Sequence, residues 1–369
     1  MYRREYELDP KTQSYENGEL TAGEIYSQPD AWREALDIIS KFSDSIGDFM
    51  CRHTYEQIIF TGCGSTYYLS LAAAAVFCQL TGSSTIGLPA SEIWFYPSSS
   101  YSAGGKKLLV AVSRSGATTE TINACEAFKS RGDGDLLTLS CYEDQPLSKL
   151  GDLNLVFPSG REKSIVQTRA FSTLYLATIA IAAIQSGEKN VLAHLIETPT
   201  ACDRLLSEHS ARIKTMGSDT SFDRYYFLGS GIRYGLACEL SLKMKEMSLC
   251  HSEPFQFFEF RHGPKSLVTD STLILGLLSR ENHTQESEVI YEMQALGARS
   301  LTVGEGRAEI GFPIQLDPIT ASLLYLPLGQ LLALNRSIAN GLNSDLPKNL
   351  DAVVRMVPIG GIPNESNLR

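Results

Sequence analysis

Short runs of consecutive apolar residues alternate along the chain with longer segments of mixed apolar and polar character. Continuous apolar runs are typical of strands buried on both faces of a sheet, whereas the longer segments are typical of helices. The predicted strands of the first half are QIIFTG (57–62), STIGLP (84–89), LLVAVS (108–113), LLTLS (136–140) and LNLVFP (153–158). Predicted helices include YYLSLAAAAVFCQL (67–80) and TRAFSTLYLATIAIAAI (168–184). This alternation predicts an α/β fold in which helices cover both faces of a parallel sheet.

The sequence TAGE (21–24) predicts the start of a helix ahead of the first strand. A Thr followed three residues later by Glu fits a capping box, so Thr21 is expected to cap a helix that runs through AWREALDIISKF (31–42). Residues 1–45 are therefore expected to form an N-terminal helical segment.

Two stretches of the chain repeat in nearly the same register. At an offset of 167, FTGCGSTYYL (60–69) and FLGSGIRYGL (227–236) share Phe, both Gly, Tyr and Leu. At an offset of 166, SRSGATTE (113–120) and SRENHTQE (279–286) share Ser, Arg, Thr and Glu. Such self-similarity predicts two homologous α/β halves, residues 46–200 and 201–369, that meet within 186–222.

The composition limits which classes of binding partner and which cellular compartment are expected for this protein. The chain has 369 residues, of which 43% are hydrophobic, and this is enough to build two cores. A net charge of −10 and the lack of Lys/Arg runs argue against nucleic acid or a membrane surface as the main partner. We expect no apolar leader, since MYRREYELDP (1–10) is polar, and LYLATIAIAAI (174–184) is too short to span a bilayer. The eight scattered cysteines are expected to be reduced core thiols, as in AVFCQL and GLACEL, of a cytoplasmic protein without a metal site.

The loop SRSGATTET (113–121) carries five hydroxyl side chains around one glycine, directly after a buried strand. A loop between a parallel strand and a helix directs free N–H groups and the positive end of the helix dipole toward an anion. The hydroxyls therefore favour a phosphate site, and capping of the helix by Ser115 or Thr118 alone is the alternative. In the second half Glu281 and Asn282 replace Ser115 and Gly116, so only the first half is expected to bind an anion.

A second strand-to-helix turn, TGCGSTYY (61–68), contains two glycines but lacks the third glycine of a dinucleotide-binding loop. Its role is either a tight turn alone or the presentation of Ser65 and Thr66 to a sugar.

The segment GLACELSLKMKEMSL (235–249) predicts a helix with an apolar stripe and a charged stripe. The apolar stripe, which is expected to be core, consists of Leu236, Leu240, Met244 and Met247. Glu239, Lys243 and Glu246 form the charged stripe, and periodicity alone favours a solvated salt-bridge face. His262 stands in EFRHGPKSLV (259–268), where Gly263 and Pro264 predict a turn that fixes the imidazole.

Five motifs in order, GCGSTYY, SRSGATTET, KSIVQTRAF, LKMKE and EFRHGPKSLV, resemble the tandem sugar isomerase (SIS) family over about residues 20–355. The chain is similar to bacterial deaminase/isomerases that act on galactosamine or glucosamine 6-phosphate. It is also similar to the isomerase half of glutamine–fructose-6-phosphate aminotransferase. The resemblance implies two three-layer αβα domains, each with a parallel sheet of about five strands.

The resemblance also implies roles for individual residues. It assigns phosphate and sugar binding to Ser65, Thr66, Ser113, Arg114, Ser115, Thr118, Ile165, Val166 and Gln167. It makes Glu246 the base that moves a proton between C1 and C2, with Lys243 a further pocket residue. His262 corresponds to the ring-opening acid/base, which reaches the site from the partner subunit of a homodimer. The family reaction uses no metal and no organic cofactor.

The chain departs from the aminotransferases at two points. Their C-terminal lysine aligns with Ala352, and Lys348 or Arg355 are the alternative cations nearby. We also expect no glutaminase domain with a leading Cys nucleophile. The expected reaction is therefore conversion of an aminosugar 6-phosphate to a ketose 6-phosphate with release of ammonia. Deglycation of a fructosamine 6-phosphate, simple aldose–ketose isomerisation and a sugar-phosphate-binding regulatory module are the alternatives.

Overall fold

Two five-stranded parallel sheets form the centre of the computed structural model, which describes residues 17–102 and 104–354. The first sheet has the order β2-β1-β3-β4-β5. Its strands are β1 (Gln57–Gly62), β2 (Thr85–Pro89), β3 (Lys107–Ser113), β4 (Gly134–Ser140) and β5 (Leu153–Val156). The second sheet has the order β10-β9-β8-β6-β7. Its strands are β6 (Arg224–Leu228), β7 (His251–Phe255), β8 (Thr272–Leu278), β9 (Arg299–Gly304) and β10 (Ile310–Gly311).

Helices cover both sheets. They are α1 (Glu19–Tyr26), α2 (Gln28–Met50), α3 (Ser65–Thr81), α4 (Ala90–Phe95), α5 (Pro97–Ser100), α6 (Thr119–Arg131), α7 (Arg169–Ser186), α8 (Lys189–Gly217), α9 (Arg233–Ser248), α10 (Phe257–Phe260), α11 (His283–Ala295), α12 (Pro318–Ala321) and α13 (Tyr325–Ala339). The predicted strands and the α/β class are confirmed. Across residues 17–102 and 104–354, no helix is both long and apolar enough to cross a membrane.

The internal repeat is confirmed by the strand pairing. Strand β1 pairs Ile58 with Thr85 of β2, and strand β6 pairs Tyr225 with Ser252 of β7. Tyr225 lies 167 residues after Ile58, and Ser252 lies 167 residues after Thr85. Read from β7 to β10, the second sheet also has the same strand order as the first. The second half therefore repeats the first in topology and in register.

The sheet order brings the two predicted binding loops together. Strands β1 and β3 are parallel neighbours, so the loops that follow them lie together at the edge of the first sheet formed by the carboxyl ends of its strands. The loop after β1 leads into α3, and the loop after β3 leads into α6. This edge is where ligands of parallel α/β sheets generally bind.

Helix α9 of the second half packs closely on α3 of the first. Gly235 makes this approach possible, because a Cβ there would lie 2.6 Å from both Ala72 N and Tyr68 O. The predicted apolar stripe of α9 is buried, with Leu236, Leu240, Met244 and Met247 at 1% exposure or less. The packing brings the last turns of α9 to the first turn of α3.

The prediction that Thr21 begins a helix through a capping box is wrong. Helix α1 begins at Glu19, after Gly18 in a left-handed conformation, so Thr21 lies inside the helix. The Thr21 hydroxyl is buried and donates a 2.6 Å hydrogen bond to Asp345 Oδ1. Thr21 thus joins α1 to the segment that follows α13 instead of capping a helix.

The cysteine prediction is confirmed in part. All eight cysteines are free thiols, and Cys238 of GLACEL is buried as expected. Cys51 is exposed and Cys63 and Cys250 are only partly buried, contrary to the prediction. Cys78 of AVFCQL, in the last turn of α3, is also exposed. Its apolar sequence neighbours therefore do not place it in the core.

Candidate active site

The hydroxyl loop after β3 forms a compact cradle at the N-terminus of α6. Ser113 Oγ accepts a 3.1 Å hydrogen bond from Gly116 N, and Gly116 adopts a φ of +64° that favours glycine. The Thr118 hydroxyl lies 3.4 Å from Ser113 Oγ and 3.5 Å from Ser115 Oγ. Thr118 occupies the N-cap position, but its side chain makes no capping hydrogen bond. Capping by Thr118 is therefore not what this loop does, and three hydroxyls converge beside the helix terminus.

The two predicted residues of the first loop differ in their contacts. Thr66 Oγ1 accepts a hydrogen bond from Cys63 N at 2.9 Å and donates one to Cys63 O at 3.0 Å, so it closes its own turn. Ser65 Oγ instead accepts a 3.0 Å hydrogen bond from Lys243 Nζ of the second half. Ser65 is therefore a direct link between the halves.

Arg114 is buried, and its guanidinium bonds to protein acceptors. It donates to Glu162 Oε2 at 3.2 Å, Ser164 O at 3.3 Å and Ile165 O at 2.9 Å. A further bond of 3.2 Å reaches Ala352 O. Arg114 thus ties the hydroxyl loop to the predicted sugar wall and to the C-terminal segment, and phosphate binding by Arg114 stays a prediction.

The predicted sugar wall, residues 165–167, lies beside the loop that Arg114 holds. Val166 is 2% exposed, and the backbone of Ile165 bonds to Arg114 and to Asp345 O. Gln167 Oε1 is buried and has no hydrogen-bond partner in the described parts of the chain. An unpartnered buried acceptor is suited to a ligand that donates hydrogen bonds.

Two carboxylates that sequence reasoning missed support this wall. Glu24 Oε1 accepts hydrogen bonds from Lys163 N at 2.6 Å and Ser164 N at 3.2 Å. Glu162 accepts bonds from Thr168 and Arg114. Burial, and then the charge of Glu162, raise the pKa of Glu24 to about 8. The sequence pointed to Glu24 only as part of a capping box, and nothing in it pointed to Glu162.

The charged stripe of α9 is buried, so its interpretation as a solvated face is wrong. The side chains of Glu239, Lys243 and Glu246 are 0%, 1% and 19% exposed. Lys243 Nζ bonds to Glu246 Oε2, lies 3.4 Å from Glu239 Oε1 and donates to Ser65. The stripe is buried because this part of α9 faces the start of α3. Only Glu246, at the end of the series, is partly open to solvent.

Burial sets the electrostatics of the stripe. It raises the pKa of Glu239 to about 8; the charge of Glu246 adds to this shift and that of Lys243 opposes it. Burial acts to lower the pKa of Lys243, but attraction to Glu239 and Glu246 outweighs it, and the pKa of Lys243 is raised. Lys243 therefore keeps its proton and holds the Glu246 carboxylate in place.

A cavity of about 310 Å³ lies beside Glu246. Its lining includes Lys348, Asn343 and Pro347 from the segment after α13. Of the two cations considered as replacements for the aligned lysine, Lys348 shares this cavity, and Arg355 lies outside the described residues. His262 lies in the exposed turn after α10 and does not line the cavity.

The equivalent loop of the second half holds a carboxylate. Ser279 Oγ accepts a 3.0 Å bond from Asn282 N, as Ser113 does from Gly116 N. Ser279 N, however, donates a 2.6 Å bond to Glu286 Oε2. Glu286 aligns with Glu120 of the first half, so this carboxylate does not distinguish the two loops. That only the first loop binds phosphate stays a prediction, which rests on Glu281 and Asn282.

Comparison with known proteins decides the family. The model of the SIS domain matches residues 53–185 and 220–304. The chain belongs to the SIS domain family. The predicted tandem SIS architecture is thereby confirmed, with one matched part on each sheet.

Curated relatives of this SIS-domain chain include two archaeal glutamine–fructose-6-phosphate aminotransferases (isomerizing). That of Methanothermobacter thermautotrophicus is 28% identical over 344 residues, which are 89% of this chain and 56% of the relative. That of Sulfolobus acidocaldarius is 26% identical over 337 residues, which are 90% and 55%. The chain thus spans about half the length of the curated relatives it matches.

Solved structures with the same fold include a glucosamine-6-phosphate deaminase from Thermotoga maritima. It has a TM-score of 0.78 and 28% identity, and the match covers 90% of this chain and 99% of that one. The tagatose-6-phosphate ketose/aldose isomerase from Escherichia coli has a TM-score of 0.80 at 21% identity, covering 90% and 97%. The second likeness is one of fold alone.

Replacing Glu239 with Gln is expected to change how stability depends on pH. The Glu239 carboxyl has a pKa of about 8 in the folded protein and about 4.5 as its ordinary value, so between these pH values the folded state keeps a proton that the unfolded state has lost. Stability relative to Glu239→Gln should therefore fall as pH rises through this window, by up to about 1.4 kcal/mol per pH unit.

Urea unfolding of both proteins at about pH 5 and about pH 8 measures this difference. Glu197→Gln, on the exposed surface of α8, controls for the loss of a surface carboxylate. An equal stability difference between wild type and Glu239→Gln at both pH values would show that Glu239 is not a carboxyl with a raised pKa.

Proposed function

We propose that this SIS-domain protein is a phosphosugar isomerase that converts an aminosugar 6-phosphate to a ketose 6-phosphate and ammonia. The observation that carries the proposal is the Lys243 ammonium, which bonds to Ser65 of the first half and to Glu246 of the second. This contact sets a carboxylate close to the loops that are expected to hold the sugar phosphate. The aminosugar substrate is supported by the likeness to the glucosamine-6-phosphate deaminase from Thermotoga maritima, at 28% identity over 90% of the chain.

The phosphate is held by the hydroxyls of Ser113, Ser115 and Thr118 at the N-terminus of α6. Hydroxyl donors and the positive end of the helix dipole both favour the dianion, so no lysine is needed in the loop. Binding energy from the phosphate, remote from the reacting carbons, orients C1 and C2 for the chemical step.

Glu246 is the base in the proposed reaction. It removes the proton from C2 of the open-chain aminosugar, the electron pair forms the C1=C2 bond, and O1 takes up a proton to give an enolamine. Reprotonation at C1 gives a ketimine at C2, which water hydrolyses to the ketone and ammonia. Lys243, which also bonds to Ser65, orients the carboxylate, while the side chain of Glu246 remains 19% exposed toward the cavity.

His262 supplies the acid/base group for ring opening, from the partner subunit of a homodimer. Support comes from its place on an exposed turn outside the Glu246 cavity. The turn is held on the surface because Arg261 and Lys265 both pair with Glu292 of α11, each at 2.7 Å. An exposed imidazole is suited to act on a neighbouring chain.

Replacing Ser115 with Glu is expected to weaken binding of glucosamine 6-phosphate by at least about a hundredfold, because a carboxylate in the cradle repels the phosphate. The substitution copies the residue that the second half carries at this position, Glu281. The reciprocal variant Glu281→Ser should keep its dissociation constant within about twofold of wild type. Calorimetric titration measures both, and wild-type affinity in Ser115→Glu would place the phosphate elsewhere.

The Glu246→Gln variant tests the reaction itself. Wild type should release ammonia from glucosamine or galactosamine 6-phosphate, and the variant should be slower by at least about a hundredfold because general-base catalysis is lost. Fructosamine 6-phosphate and fructose 6-phosphate belong in the same assay, since they test deglycation and simple isomerisation. Near-normal turnover in Glu246→Gln would remove the central residue of the proposal, and wild-type turnover of fructosamine 6-phosphate alone would make the protein a deglycase.

Mixing two inactive variants tests the role of the partner subunit. If His262 acts across the interface, a hybrid of His262→Asn and Ser115→Glu chains has one site with both residues intact. Random exchange in a symmetric dimer should then restore about a quarter of wild-type activity. No recovery, with exchange confirmed by mass labels on the two chains, would place His262 in the site of its own chain or outside the reaction.

A further inference from the structure

A second and larger cavity, of about 480 Å³, lies at the free edge of the second sheet. It is lined by residues of β6, β7 and the last turns of α9, among them Arg224, His251 and Lys245. Its lining contains none of the residues predicted to bind the substrate. Lys245 lines this cavity while the next residue, Glu246, lines the smaller one. The two cavities are therefore separate spaces that share one helix.

The internal repeat shows how the residues lining this cavity differ from the aligned residues of the first half. The halves superpose in register here, because Thr85 Oγ1 bonds to Ala74 O in the first half and Ser252 Oγ bonds to Ser241 Oγ in the second, both pairs shifted by 167. Four lining positions that are uncharged in the first half are ionisable in the second. In each aligned pair the first-half residue is given first: Gln57 with Arg224, Cys78 with Lys245, Ser84 with His251, and Ile86 with Glu253.

Among the described residues, neither Arg224 nor Lys245 forms a close ion pair with Glu253, the carboxylate that lines this cavity. Lys245 Nζ donates a 3.1 Å bond to Ser241 Oγ, and among the described residues no carboxylate oxygen lies within 4.0 Å of it. Burial lowers the pKa of Lys245. Arg224 Nε lies 4.0 Å from Asp223 Oδ1, and this carboxylate is 69% exposed. Two cationic side chains, Arg224 and Lys245, thus line one cavity together with His251 and a single lining carboxylate, Glu253.

Tyr225 adds an independent observation. The residue lines the cavity and is 1% exposed, and its hydroxyl is buried without a hydrogen-bond partner in the described parts of the chain. A buried hydroxyl without a partner is costly, and a ligand that accepts a hydrogen bond would satisfy it.

We propose that this cavity is a second anion site, which binds a small phosphate monoester independently of the substrate site. Arg224 and Lys245 are suited to bind the phosphate oxygens through charge-assisted hydrogen bonds. The volume is within the usual range of small-molecule sites and accommodates a group the size of a sugar or a nucleoside attached to the phosphate. The proposal uses none of the residues assigned to the reaction and goes beyond the proposed function.

Calorimetric titration of the Ser115→Glu variant tests this site with the substrate cradle blocked. The probes are glucosamine 6-phosphate, uridine monophosphate and inorganic phosphate, which separate a sugar source from a nucleotide source. At least one monoester should bind, and more tightly than inorganic phosphate. Adding Arg224→Gln and Lys245→Cys, the residues of the first half, should weaken that binding at least about tenfold.

Two controls make the result decisive. Arg204→Gln with Lys214→Gln removes the same charge from the exposed surface of α8 and should leave binding unchanged. Arg224→Gln with Lys245→Cys in the otherwise wild-type chain should keep the wild-type circular dichroism and unfolding transition, which shows that the variant is folded.

The proposal is overturned if no probe binds to Ser115→Glu, or if the Arg224 and Lys245 substitutions leave binding unchanged. The first of these results leaves the proposed function intact, because it shows that the only phosphate site is the cradle. Binding of glucosamine 6-phosphate to Ser115→Glu with wild-type affinity that is insensitive to Arg224 and Lys245 contradicts both proposals, since the phosphate then lies in neither place.

Discussion

A single buried ammonium holds the site together. Lys243 is fully buried, and a charge removed from water is tolerated only when it is paired and hydrogen-bonded. Its partners are Glu239 and Glu246 on its own helix and Ser65 at the start of α3. Because Ser65 belongs to the first half and the carboxylates to the second, satisfying one charge fixes the two halves against each other. The close α3–α9 contact at Gly235 makes this short distance available.

Burial of Lys243 gives different surroundings to Glu239 and Glu246, two carboxylates that look equivalent in the sequence. Glu239 has no exposure and neither of its oxygens has a hydrogen-bond partner in the described chain, so burial raises its pKa. Glu246 receives a hydrogen bond from Lys243 and opens to a cavity. Glu239 thus lies buried beside the ammonium with a raised pKa, and Glu246 is positioned for chemistry. A surface stripe with the same spacing would give neither residue such a role.

Sequence patterns predicted the features that depend on residues close together in the chain, namely the strands, the turns and the repeat. Continuous apolar runs marked the strands of the first sheet, and glycine with hydroxyls after a strand marked the loop at Gly116. The repeat was visible because the same turn glycines recur at a fixed offset. Burial of the α9 stripe was not predictable in this way, since helical spacing shows which residues share a face but not what covers that face. The covering helix, α3, lies about 170 residues earlier in the chain. Glu162 was missed for the same reason, because its partner Arg114 is distant in sequence.

The central claim is that Glu246, held by Lys243, breaks the bond between C2 and its hydrogen. The most direct measurement uses glucosamine 6-phosphate carrying deuterium at C2 and follows loss of that label by nuclear magnetic resonance. Loss is counted whether the label passes to C1 or to solvent, so shielding of the site does not obscure it. The account predicts loss of the label in every wild-type turnover and a rate at least about a hundredfold lower in Glu246→Gln. Loss of the C2 label at the wild-type rate in Glu246→Gln would contradict the account.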